Sequence, residues 1–176
     1  IPSLHTPFKN NKSIDYKSLE KSVLHTIDKN CAGMLLSAVA GETQNLTFNE
    51  KAEMMEFVLD ISRYIIQIIF GCSSQKIEEI YSLVDLARQK KIKWVLIQAP
   101  LNLDEGDLIV FYKKINEIGP SHLMIQDLSW DGYGLSDAII QNLINEVSNF
   151  KSLKVEVVNS GKKYSNIINL TKNKLH

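Results

Sequence analysis

The chain has 176 residues, 44% of them apolar, and balances 20 Lys+Arg against 20 Asp+Glu. A formal net charge of +0 excludes the basic surplus with which a nucleic-acid binder displaces counterions, and the polybasic face that holds a protein on anionic lipid. The strongest apolar run, residues 65–70, is broken by Gln67 and falls far short of the roughly 20 residues of a spanning helix.

The start, Ile1-Pro2-Ser3-Leu4-His5, lacks the charged opening and apolar run of a signal peptide. Cys31 and Cys72 do not make a disulfide framework, so a soluble chain of the reducing cytoplasm is expected, with neither nucleic acid nor membrane as partner.

In chain order, a first strand is expected at residues 1–4. A helix follows over 15–30, where Leu19, Val23, Leu24 and Ile27 share one face. Residues 34–39 form the next strand. Thr47 and Glu50 make a capping box that opens a helix running to about residue 62. The near-continuously apolar run 65–70 reads as a strand covered on both faces. A turn at Gly71-Cys72-Ser73-Ser74 leads to a helix over 75–90. The strand 94–98 closes on Ala99-Pro100, and Asp104 caps a helix over 105–118. A strand at 122–126, a helix over 136–149, a strand at 153–158 and a helix over 164–171 complete the chain.

That makes about six strand–helix units of roughly 30 residues each, the rhythm of a parallel α/β fold. No linker or compositional shift divides it, so residues 1–176 are expected to form a single domain. A doubly wound open sheet and a (β/α)8 barrel both fit this rhythm. The phosphate-binding signatures G-x-G-x-x-G and G-x-x-x-x-G-K-[ST] do not occur.

In either architecture, chemistry gathers at the C-terminal ends of the strands. Lys154 stands inside an apolar strand with Glu156 two residues on, which puts both side chains on one face. A lysine in a buried strand loses the hydration of its charged form, which favours a neutral amine able to attack a carbonyl. The competing reading is a solvent-exposed Lys/Glu pair on an edge strand. Cys72 reads as a buried structural thiol, and the histidines lack the close spacing of metal ligands, so no metal site is expected. Trp130-Asp131-Gly132-Tyr133-Gly134 reads as a Gly-rich loop at the end of a strand.

At these strand ends the chain resembles the dihydrodipicolinate synthase/N-acetylneuraminate lyase family of Schiff-base-forming (β/α)8 enzymes. Thr6-Pro7-Phe8 and the run from Asp15 to Leu19 resemble the family's opening T-P-F and the start of its first helix. Gly41-Glu42-Thr43 with Leu46, Thr47 and Glu50 resembles its G-E-x-x-x-L-t-x-x-E segment. Gly71 occupies the third-strand turn, Pro100 the fourth-strand proline, and Lys154 the position of the Schiff-base lysine.

The resemblance implies an α/β (β/α)8 barrel with about six of the eight units present. It implies a lyase or aldolase acting on a 2-oxo acid such as pyruvate, with no cofactor beyond the imine at Lys154, and a possible homo-oligomer. Lys154, Asp127, Glu156 and Gln126 become the expected catalytic set. Ala40, Gly41, Glu42, Ser37 and Ser73 become the expected substrate-binding set.

Some positions depart from the pattern. Ala38-Val39-Ala40 replaces a segment carrying threonine hydroxyls, Gln126-Asp127 replaces Tyr-Asn, and Leu101-Asn102 replaces an aromatic pair. No arginine occurs from Ser129 to Tyr133. A non-catalytic or degenerate, truncated member is therefore the second reading. A full barrel takes about 250 residues, so the chain is expected to be C-terminally truncated or to have its open strand edges covered by a partner chain.

Overall fold

The computed structural model describes residues 1–100, 102–172 and 174–175; Leu101, at the position of the expected aromatic pair, lies outside them. Strands and helices alternate along the chain, and the strands form a five-stranded sheet in the order β1-β2-β3-β4-β5. The chain divides into two compact units, Ile1–Val95 and Leu96–His176.

In the first unit, α1 (Tyr16–Asp28) is capped by the Asp15 carboxylate, which accepts from the Ser18 amide. The expected first strand is reduced to one parallel bridge, Ser3 to Leu35, with Leu4 N donating to Leu35 O and Leu35 N to Pro2 O, both at 2.9 Å. Strand β1 (Gly33–Leu36) is shorter than its apolar run suggests. It stops because Ser37 turns left-handed at φ 52, and Val39–Gly41 and Thr43–Asn45 then form 3-10 turns.

Gly71 explains how the chain accommodates that turn. A Cβ built there would lie 1.9 Å from the Ser37 carbonyl oxygen, so only glycine lets the two backbones approach. Helix α2 (Phe48–Ser62) starts with the expected Thr47–Glu50 capping box. Strand β2 (Gln67–Gly71) pairs in parallel with β1, Met34 opposite Ile68 and Leu36 opposite Phe70. Helix α3 (Ile77–Gln89) buries Ile80, Leu83, Val84 and Ala87, the 3.6-residue stripe that holds a helix on a core. Strand β3 (Trp94–Gln98) follows.

In the second unit, α4 (Glu105–Ile118) runs from the Asp104 cap to a left-handed Gly119 at φ 88, the usual way for a helix to end. Strand β4 (His122–Ser129) extends beyond its expected limit. Helix α5 (Asp137–Glu146) is capped by Ser136. Strand β5 (Phe150–Val157) pairs in parallel with β4 along its length, past an irregularity at Leu123/Met124. Helix α6 (Ser160–Thr171) packs on β5 and α5. Among the described residues no helix is long and apolar enough to cross a membrane.

Candidate functional site

Strand register brings three of the expected residues together. Gln126 on β4 stands opposite Lys154 on β5, and Leu128 opposite Glu156. With the two-residue period of a strand, Gln126, Lys154 and Glu156 share one face. Lys154 Nζ lies 2.6 Å from Glu156 Oε1, and the Gln126 side-chain amide donates to Glu156 Oε2. One carboxylate thus bridges an amine and an amide. Burial pushes the Glu156 carboxyl up, but the Lys154 and Gln126 hydrogen bonds and the Lys154 charge outweigh it, so its pKa lies below the ordinary value.

Lys154 itself is half-buried, with 27% of its side chain exposed. The deeply buried amine expected from the sequence is therefore corrected to an accessible one. It belongs to β5, the last strand in the sheet order. Chemically, the group offers a primary amine, an ionised carboxylate in direct contact with it, and a fixed amide behind.

Asp127, expected to share in proton transfer, lies elsewhere. As Gln126's neighbour on a strand it faces the opposite side. There its carboxylate pairs with Lys163 on α6, and the two side chains are only 2% and 0% exposed. Asp127 Oδ1 also accepts from the Leu135 amide at 2.9 Å. Lys163 Nζ further donates to the carbonyls of Tyr133 and Leu135, at 2.5 and 2.7 Å, and sits 4.3 Å from the Tyr133 ring centroid. Every donor of the ammonium is engaged. The pair is structural, and Asp127 cannot turn toward Lys154 without leaving a buried cation unpaired.

Sequence reasoning missed Lys163, although a signal existed. An aspartate within an apolar strand calls for a buried cation. Lys163, Ile167 and Thr171 form the buried stripe of α6, which puts this lysine rather than Lys162 on the inner face.

The expected substrate-binding residues lie in the first unit. Ser37 Oγ meets Thr43 Oγ1 at 3.1 Å, both buried; Thr43 belongs to the matched Gly41 segment but is not among the expected binding residues. Ala40 is exposed, and its carbonyl accepts from His5 Nδ1 at 2.8 Å. The Gly41 carbonyl accepts from Thr6 Oγ1 at 2.6 Å.

The Gly41 segment is thus a braced turn rather than an open cradle. The amides of Gly41, Glu42 and Thr43 bond to Ala38 O, Val39 O and Ala38 O at 2.9, 3.0 and 3.3 Å. These three amides are already bonded within the turn. Glu42 is exposed and left-handed at φ 55, and its carboxylate accepts from Asn45 at 3.0 Å.

The carbonyl of Ser73 accepts from Lys51 Nζ at 2.8 Å. Burial lowers the Lys51 ammonium pKa, partly opposed by the charge of Glu79. Burial pushes the Cys72 thiol up to about 12, so at neutral pH it is an inert thiol rather than a nucleophile. Among the described residues, no group of three or more His, Cys, Asp or Glu could hold a metal ion.

Comparison with known proteins adds the following. The family model described as "Dihydrodipicolinate synthetase family" matches residues 1–176. The 4-hydroxy-tetrahydrodipicolinate synthase of Lactobacillus acidophilus is 31% identical over 120 residues, covering 66% of this chain and 39% of that protein. Its counterpart in Methanocaldococcus jannaschii is 27% identical over 156 residues, covering 87% and 54%. The chain spans about half the length of the curated relatives it matches.

Among solved structures, N-acetylneuraminate lyase from Mycoplasma synoviae superposes with a TM-score of 0.86 at 20% identity, covering 99% of this chain and 59% of that one. Dihydrodipicolinate synthase from Aquifex aeolicus gives 0.84 at 21%, covering 99% and 58%. At these identities the structures establish the fold: a (β/α)8-barrel family, of which about six βα units, the first reduced to a bridge, are present here.

Proposed function

Because the chain belongs to the dihydrodipicolinate synthetase family, we propose that it carries the imine-forming lysine of a pyruvate-type lyase or aldolase. The observation that supports this reading is the Lys154–Glu156 contact at 2.6 Å, with the Gln126 amide on the other carboxylate oxygen. Glu156 takes the ammonium proton, and the neutral amine attacks the ketone carbon of a 2-oxo acid such as pyruvate. The ketone oxygen leaves as water, assisted by the proton held on Glu156.

The protonated imine then draws electrons from the adjacent C–H bond, whose proton passes to Glu156, leaving an enamine. The enamine carbon bonds to an aldehyde carbon, and the aldehyde oxygen takes up a proton. Water hydrolyses the new imine and restores Lys154; cleavage runs the same steps backwards. Gln126 has no ionisable proton, so its part is to orient Glu156. Asp127 is left out, since it is committed to Lys163. The mechanism requires no further cofactor. Cytoplasmic residence and homo-oligomer formation belong to the same reading.

Borohydride reduction in the presence of pyruvate, followed by mass spectrometry of the intact 176-residue chain, tests it. One reduced adduct mapping to Lys154, absent from Lys154→Ala, is expected. Equal labelling of Lys154→Ala would move the imine to another residue. The second reading, a non-catalytic member, is favoured by the replacement of an ionisable phenol by Gln126; it predicts no adduct with any of a panel of 2-oxo acids.

A further inference from the structure

Within the first unit, the exposed faces of α2 and α3 enclose a groove that the proposed chemistry does not use. Phe48 and Ala52 on α2 and Leu86 on α3 are its apolar lining, all half-buried, with Glu53, Glu56 and Asp85 beside them. Its volume is about 490 Å³. Phe48, Ala52 and Glu56 follow one another at four-residue steps, so one ridge of α2 reads apolar, apolar, acidic. From Phe48 to Glu56 the groove follows the helix for about 12 Å, a little over two turns.

The chain as a whole is neutral, but this face is not. Helix α2 carries four Asp or Glu and α3 three, against one Lys and one Arg. The lysine, Lys51, is buried and donates inward to Ser73 O at 2.8 Å, which leaves Arg88 as the exposed cation of the two helices. Arg88 holds Asp85 at 2.6 Å, and Lys90 holds Glu56 at 2.6 Å. Both pairs are open to water, where exchanging one cation for another costs little. Glu53 accepts from a neutral donor, the Tyr16 hydroxyl, at 3.4 Å.

An occupant must therefore offer apolar surface to the lining and positive charge to the carboxylates. Acidic and phosphate-bearing partners are repelled. Both walls are helices whose backbone groups are bonded within their own turns, so an extended peptide finds no strand edge to add to. What such walls accept is another helix, its side-chain ridges entering the groove between theirs.

We propose that the α2–α3 groove docks a basic amphipathic helix of a partner protein, its apolar stripe on Phe48, Ala52 and Leu86 and its Lys or Arg side chains on Glu53, Glu56 and Asp85. This is independent of the Lys154 reading, whose residues belong to the other unit. The probe is a synthetic helix of about 15 residues, with a leucine stripe at helical spacing flanked by lysines, titrated with the full chain by fluorescence anisotropy. Saturable binding is expected, weakening about tenfold or more between about 0.05 and about 0.5 M salt. A counterpart with glutamate for each lysine, and another with serine for each leucine, should each bind at least about tenfold more weakly.

Ala52→Leu fills the lining and keeps every charge, whereas Glu53→Gln with Glu56→Gln keeps the shape and removes two charges. Each should weaken binding about fivefold or more while unfolding in urea close to the parent's midpoint. Glu20→Gln, exposed on α1, should leave binding unchanged. Absence of saturable binding by the parent would overturn the proposal. So would equal binding of the serine peptide, which would reduce the groove to a patch of negative charge, or unchanged affinity in Ala52→Leu, which would place the peptide elsewhere. Self-association in sedimentation that Ala52→Leu abolishes would overturn it too, by making a second copy the occupant.

Discussion

Lys154 and Lys163 sit on consecutive elements of one unit, and each is paired with a carboxylate, yet their surroundings give them opposite characters. Lys163 is sealed, with a carboxylate, two carbonyls and an aromatic face around its ammonium. Lys154 is partly exposed, and a single carboxylate bonds it. An amine whose donors are all used inside the protein has no open side from which to meet a substrate. An amine with one carboxylate neighbour and partial exposure has one. The difference between a structural and a reactive lysine is therefore one of saturation and access, not of residue type.

Breaking the sealed pair should have the largest effect. Lys163→Met leaves Asp127 charged and buried, so a loss of about 3–5 kcal/mol is expected in urea unfolding. Adding Asp127→Leu should recover part of it, since removing both charges lifts the desolvation penalty. If Lys163→Met were as stable as the parent, the structural role assigned to the pair would be wrong.

A smaller effect is expected at Gly134. Alanine there adds a Cβ against Asp127 Oδ1 at a left-handed φ, and a loss of about 1–3 kcal/mol should appear as a lower unfolding midpoint. Pyruvate trapping at Lys154 should persist below that midpoint, because the clash is on the other face of β4.

The open pair should contribute least. Lys154→Met should change stability by less than about 1 kcal/mol, the range of accessible ion pairs, while abolishing trapping. The pH dependence has a definite sign. The Glu156 carboxyl in the folded chain lies below its ordinary value of 4.5. Its contribution is therefore present above that value and is lost as pH falls through the folded one. The small stability gap between the parent and Glu156→Gln should be present above the ordinary carboxylate value of 4.5 and close as the pH falls through the lowered folded-state value. A gap that widened on acidification would contradict the Lys154–Glu156 contact.

Much of the fold was legible because its signals are local. The Thr47–Glu50 box and the Asp104 cap lie at the helix starts they were read from, and Asp15 and Ser136, read as the first residues of their helices, are the caps of α1 and α5. Capping is settled by side chain and amide within a single turn. The end of β1 was misread for the opposite reason. Apolar residues 34–39 favour extension, but the left-handed Ser37 depends on the approach of Gly71 from another strand, which no window around Ser37 contains.

The candidate site divides in the same way. Lys154 and Glu156 could be paired from the strand period alone, since two residues on one strand need no partner element to share a face. Gln126 joined them through the β4–β5 register. Asp127 could not be assigned from its neighbours, because its partner Lys163 is distant in sequence. The amides of Gly41, Glu42 and Thr43 bond back to Ala38 and Val39 in a turn that motif spacing does not reveal.

The sequence by itself determined the alternation of strands and helices, the caps, and the placing of one lysine and one glutamate on the same strand face. These follow from periodicity and from hydrogen bonds closed within a few residues. Only the tertiary structure decided which carboxylate serves which lysine, because that depends on burial and on the face each strand residue turns toward its neighbours. Asp127 turned inward and became part of the scaffold; Glu156 stayed beside an accessible amine.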